Sequence, residues 1–141
     1  MRILGLDVGS KTVGMAVSDP LGWTAQGIGI LSIDEDNQLF KIEEIIRIIH
    51  EYQVKKVVIG LPKNMDNSEG FRAEASRHYA ELLQAQIDIP IDFQDERLTT
   101  VQAERMLISE GNVSRKKRKK VIDKLAAVIL LQNYLDRTSS L

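Results

Sequence analysis

Residues 2–8, RILGLDV, form a short apolar run broken by one carboxylate, Asp7, and followed at once by Gly9-Ser10. Near-continuous apolar character closed by turn residues predicts a buried strand. A buried strand needs cover on its faces, so the chain has to build a layered sheet around it. The same run makes Asp7 the residue to explain. Buried carboxylates are rare unless they are paired or bind a cation.

The following segment, 12–18 (TVGMAVS), is short and β-branched and predicts a hairpin with the first strand. A third strand is expected over about 25–32, with Trp23 before it as a local packing anchor. Leu39, Ile42, Ile45, Ile46 and Ile49 follow helical spacing over about 37–52. KKVVIGLP predicts a strand at 56–61 stopped by Pro62. Ser68 is a cap for a helix running to about 86, with Phe71, Ala75, Tyr79 and Leu82 on its inner face. A strand at 91–94 comes next, and Thr99 with Gln102 matches a capping box for a helix ending near Gly111. The last helix is expected over about 117–136. Three early strands followed by alternating helices and strands predict an α/β domain. Its sheet is mixed and five-stranded, with helices on both faces. At 141 residues, 1–141 reads as one domain.

The chain contains no cysteine, which excludes disulfides, thiolate zinc sites and cysteine nucleophiles. The longest apolar stretch, LAAVILL at 125–131, is too short to span a bilayer, and no secretory pattern opens the sequence. The expectation is a soluble cytoplasmic protein. Its net charge of −1 conceals an asymmetry, because RKKRKK at 115–120 supplies six consecutive cations. Setting those aside takes the net charge from −1 to −7. A basic block on an acidic domain suits a local anionic partner, although a solvated loop would look the same. At the start of a helix, cations oppose the helix dipole, so local stability does not select them. Arg115, Lys116, Lys117, Arg118, Lys119 and Lys120 are therefore candidates for phosphate contacts. Aromatic residues are only 5% of the chain, which favours recognition by backbone and shape over base stacking.

Two further carboxylates join Asp7 as candidates: Glu96 in IDFQDERLTT, after a strand, and Asp123 in KKVIDKLAAVILL, on a mostly apolar helix. Like charges about 4 Å apart repel by roughly 4 kcal/mol at an effective dielectric near 20. If the fold gathers all three, a hard divalent cation is the economical way to hold them together. Ligand sites in open sheets lie beyond strand ends, where Asp7 and Glu96 are expected.

LGLDVGSKTVGMAVSD, VVIGLPKNMDNSEG, DERLTT and DKLAAVILLQNYL occur in that order and together resemble the YqgF (RuvX) family over nearly the whole chain. The resemblance implies an RNase H-like fold and a metal-dependent endonuclease. The substrate would be the 5′ end of pre-16S rRNA in ribosome biogenesis, or alternatively a Holliday junction. By motif, Asp7 matches the first-strand aspartate, Glu96 the glutamate of DER and Asp123 the last-helix aspartate, together binding Mg²⁺ or Mn²⁺. Two ions about 3.5–4 Å apart stabilise both the attacking and the leaving oxygen of a phosphodiester. Asp7 would bridge them, Glu96 and Asp123 would hold one each, and water would be the nucleophile. Neither His50 nor His78 is an obvious base. Arg97 would clamp the scissile phosphate or pair with Asp95, and Lys11 would reach the backbone phosphates or be solvated. Asp19 and Asp95 are supports for the site or turn caps. The family's first motif often carries Arg where this chain has Thr12, one cation fewer beside the site. Two other classes compete. A nucleotide phosphotransferase generally needs two such domains, and a non-catalytic nucleic-acid-binding assembly factor would keep the fold without turnover. Monomer and homodimer both remain open.

Overall fold

β1 (Arg2–Val8) and β2 (Thr12–Ser18) form the expected antiparallel hairpin, closed where the Gly9 N–H donates to the Thr12 carbonyl at 2.8 Å. They belong to a computed structural model that describes residues 1–62, 69–95 and 115–138, the side chains of 115–124 excepted. β3 (Ala25–Ser32) pairs antiparallel with β2, β4 (Val54–Leu61) parallel with β1, and β5 (Ile91–Asp95) parallel with β4. The five-stranded mixed sheet has the order β3-β2-β1-β4-β5, so β1 is central.

Alternation along β1 divides the core. Leu4, Leu6 and Val8 pack with Ile45 and Ile49 of α1 (Ile42–Glu51) and with Tyr79 and Leu83 of α2 (Phe71–Gln84). Ile3 faces the other way, into a cluster with Ala127, Leu131, Tyr134 and Leu135 of α3 (Arg115–Thr138). The period of two puts Gly5 and Asp7 on that same α3 face. Gly5 permits the close approach: a Cβ there would stand 2.9 Å from Leu131 Cβ. Tyr134 Oη donates to Asp92 Oδ2 at 2.9 Å and accepts from Lys56 Nζ at 2.8 Å. Gln132 accepts from the Ala25 N–H and donates to the Trp23 carbonyl, both at 3.0 Å. These bonds tie the C-terminal half of α3 to the sheet end where β1 begins. Its N-terminal half therefore runs toward the end where β1 finishes.

Several expectations need correction. The helix expected over 37–52 begins only at Ile42, because Gln38 (φ 57) and Lys41 (φ 58) are left-handed. Asp34 and Leu39 exchange backbone hydrogen bonds at 2.8 and 2.9 Å, closing a turn that leaves Leu39 56% exposed. On α2 the buried stripe is Ala73, Ser76, Tyr79, Ala80 and Leu83, and Phe71 is 72% exposed. Its neighbour Arg72 reaches back over the end of β1, which fixes the rotation of the helix and turns Phe71 outward. Trp23 is no packing anchor either, being 73% exposed. Asp19 organises that turn instead, accepting from the Trp23 N–H at 2.9 Å and from Thr24 Oγ1 at 3.1 Å. Those bonds, the Trp23 one foremost, hold the Asp19 carboxyl below the usual carboxylate range. The last helix starts by Arg115, not about 117, so the whole basic block is helical. The Ser68 cap and the helix expected over 99–111 lie outside the described residues. Among the described residues no helix is long and apolar enough to cross a membrane.

Tyr79 gives a pH signature. It is fully buried, its hydroxyl donates to the Phe40 carbonyl at 2.9 Å, and burial raises its phenol well above the ordinary value. The unfolded chain titrates near pH 10, so this contribution is intact below about pH 10 and lost as the pH rises beyond it. Chemical unfolding between pH 8 and 11 is expected to show wild type losing up to about 1.4 kcal/mol per pH unit above pH 10, relative to Tyr79→Phe.

Candidate active site

Asp7 stands one residue before the end of β1, paired across the ladder with Gly14 of β2. The β1–β4 register, with Leu6 opposite Ile59, sets Gly60 on its other flank. Cross-strand neighbours point to one face, so this half-buried carboxylate has a glycine on either side. On the same face Ile3, Ala16 and Val58 are fully or nearly buried beneath α3, with Lys56 and Asp92 beside them bonded to Tyr134. The three parallel strands finish together, since β4 ends at Leu61 in register with Asp95, the last residue of β5. Two strand spacings put the backbones of β1 and β5 about 10 Å apart.

Glu96 and Arg97 follow β5 directly and lie outside the described residues. Asp123 lies in α3, four and eight residues before Ala127 and Leu131, its side chain outside the description. Arg115, Lys116, Lys117, Arg118, Lys119 and Lys120 form the beginning of the same helix. Lys11 is exposed in the β1–β2 turn, and its carbonyl accepts from the Ile33 N–H at 2.8 Å. Nearby, the Asn37 side-chain amide at 2.6 Å, then the Asn37 backbone, hold the Asp34 carboxyl below its ordinary range, with the Lys11 charge a minor contribution. His50 lies in the last turn of α1, at the far end of the sheet from Asp7. His78 is exposed on α2, edge-on to Phe40 at 5.7 Å. Among the described residues no three His, Asp or Glu form a metal-holding group.

Arg72 is the residue that sequence reasoning passed over. Its guanidinium donates to both Glu35 oxygens, at 3.0 and 3.1 Å, and to the Val8 carbonyl at 3.2 Å. One side chain thus joins α2, the β3–α1 connection and the residue next to Asp7. The available signal was a cation in the first turn of a helix, where the dipole disfavours it. Arg72→Ala is expected to cost about 2 kcal/mol by urea unfolding, and Arg72→Lys to recover less than half, because an ammonium lacks the planar fork.

A model of the family described as "RuvX: Holliday junction resolvase" matches residues 1–137. The chain belongs to the RuvX family. A relative from Leuconostoc citreum, named "Putative pre-16S rRNA nuclease", is 64% identical to this RuvX chain over 141 residues, covering 100% of it and 99% of the relative. One from Limosilactobacillus fermentum with the same name is 62% identical over 136 residues, covering 96% and 94%. Among solved structures, T. thermophilus RuvC in complex with a Holliday junction substrate superposes with a TM-score of 0.59 at 15% identity, covering 99% of this chain and 97% of that one. The fowlpox virus resolvase with Holliday junction DNA gives 0.56 at 15% identity, covering 99% and 100%. Identity that low speaks to the fold, which is RNase H-like, as the motifs implied. Membership makes this RuvX chain a nuclease-type hydrolase acting on nucleic acid, and the phosphotransferase reading falls away.

Proposed function

We propose that this RuvX chain cuts the 5′ end of pre-16S rRNA, using Mg²⁺ or Mn²⁺ held by Asp7, Glu96 and Asp123. The observation that carries the reading is the placement of Asp7, half-buried on the α3 face between Gly14 and Gly60. A carboxylate at the end of a strand, with backbone-lined space on both flanks, is a donor that a cation can reach. A hard oxygen donor flanked by residues without side chains suits a hard divalent ion. Helical spacing sets position 123 on the stripe of Ala127 and Leu131, which supports Asp123 as the second donor. Glu96 is the first residue past β5, and residues beyond parallel strand ends are where sheets of this kind bind ligands.

Divalent ions bound there would offset the gathered negative charge and polarise the phosphodiester. The chain supplies orientation. β1 is fixed by pairing on both edges, and Arg72 holds its last carbonyl. Gly14 and Gly60 leave backbone-lined room for a phosphate beside the carboxylate. Lys11, Arg97 and the cations of 115–120 serve the phosphates on either side of the cut. If all six cations of 115–120 pair with duplex phosphates, log affinity falls with log salt at a slope of about −5. Replacing Lys119 and Lys120 by Ala is then expected to flatten that slope by about 2.

RNA as substrate is supported by the names of the relatives, and branched DNA by the description of the family. The test incubates a pre-16S 5′-leader RNA and a four-way DNA junction with purified protein in Mg²⁺, Mn²⁺ or EDTA. Cleavage of the leader, lost in EDTA, is the expected result. Cutting of the junction alone would move the substrate to DNA. Tight binding of both with no cutting would favour an assembly factor without turnover.

A further inference from the structure

Phe71, 72% exposed, walls a cavity of about 400 Å³ together with Phe40, His78, Glu35, Glu74 and Gln38. It lies on the side of the sheet opposite α3, at the end where β1 finishes. Arg72 connects it to the candidate active site, touching Glu35 at 3.0 Å and the Val8 carbonyl at 3.2 Å. A single side chain thus spans from the cavity wall to the residue after Asp7. Large aromatics usually leave water, and Phe71 could do so only against a partner. Phe40 and His78 meet edge to face at 5.7 Å and 75°, which makes the inner wall apolar and flat-sided. Gln38, held left-handed at φ 57, places its side chain on the wall at a position where the backbone itself would favour glycine.

The polar groups of the wall select the occupant. Two carboxylates repel phosphate and accept from N–H donors. Glu35 is already engaged by both of its oxygens with Arg72. Among the described residues Glu74 makes no salt bridge, so its two oxygens are the acceptors on offer. We propose that this cavity takes one unpaired guanine base of the nucleic acid cut at Asp7, a proposal that rests on the nuclease reading above. Guanine presents two adjacent donors, N1–H and N2–H, to a carboxylate, and its ring stacks on Phe71. Adenine and cytosine offer a donor beside an acceptor, and uracil a donor between two carbonyls, so none matches both oxygens of Glu74. The Glu35–Arg72–Val8 chain of contacts then fixes the spacing between the held base and the carboxylate of Asp7. Stacking at Phe71 would add a single base contact to the recognition by backbone and shape expected from so few aromatic residues.

The test is an NMR titration of the full chain with the single-stranded RNAs UUGUU, UUIUU and UUAUU, where I is inosine, which lacks the N2 amine. Phe71 and His78 ring signals report the cavity. Guanine is expected to bind about tenfold tighter than inosine and tighter than adenine, with the shifts centred on those rings. Glu74→Gln should erase the guanine preference without weakening adenine, whose donor beside an acceptor suits an amide, whereas Phe71→Ala should weaken all three. Both side chains are exposed, so the fold does not depend on either. Equal affinity for the three RNAs, shifts centred elsewhere, or Glu74→Gln without effect would overturn the proposal. So would ring shifts from a short arginine peptide and none from RNA, which would give the cavity to a protein partner. Because binding is read without cleavage, a guanine-selective cavity on a chain that cuts nothing would refute the nuclease reading and leave the cavity assigned.

Discussion

Asparagine in place of Asp7 is expected to slow cleavage at least ~10³-fold, equivalent to about 4 kcal/mol on the barrier, with little change in stability. The two side chains have nearly the same shape, so packing under α3 is kept, while the charged oxygen that a divalent ion requires is lost. Position 7 sits between Gly14 and Gly60, neither of which packs a side chain against it. Removing that charge is therefore expected to hold the melting midpoint within about 4 °C or raise it, the behaviour of residues kept for function at the expense of stability. Single-turnover rates paired with thermal unfolding check both halves. Undiminished cleavage would mean that Asp7 is no ligand. A collapse in stability would mean that it is a structural carboxylate.

Valine in place of Gly5 is expected to have the opposite profile. The added Cβ would stand 2.9 Å from Leu131 Cβ, and neither backbone yields cheaply. α3 has to lift from β1, which costs about 3 kcal/mol or more and lowers the melting midpoint by roughly 10 °C. α3 also carries Asp123. Protein that remains folded should therefore cut more slowly than its folded fraction accounts for. Urea unfolding together with rates normalised to folded protein separates the two effects. An unchanged midpoint would show that the contact between α3 and the sheet is looser than Gly5 and Leu131 indicate.

Strands proved the most legible part of the chain, because burial on two faces leaves little ambiguity. RILGLDV and TVGMAVS are bounded in the structure where their apolar runs end, and the parallel pairing of β4 with β5 follows from α2 between them. The errors lie where a short-range contact outweighs periodicity. Leu39 fits the helical spacing of Ile42 and Ile45, yet the Asp34–Leu39 turn and a left-handed Lys41 exclude it from α1. Phe71 has the composition of a core residue and is exposed because Arg72 beside it is drawn to Glu35 and Val8. That contact is tertiary, and no pattern within the helix encodes it. Within the candidate site, Asp7 was legible as a charge inside an apolar strand. The glycines flanking it were not, since Gly14 and Gly60 become its neighbours only through strand register.

Paramagnetic broadening by Mn²⁺ would test most directly whether Asp7, Glu96 and Asp123 share one ion-binding site. Amide and methyl signals of the full chain would be followed at substoichiometric Mn²⁺ in wild type, Asp7→Asn, Glu96→Gln and Asp123→Asn. The expected result in wild type is broadening confined to Val8, Gly9, Gly14, Gly60 and the α3 residues just after Asp123, with each substitution weakening the whole set. Broadening centred elsewhere, or a pattern that survives Asp7→Asn, would contradict a shared three-carboxylate site.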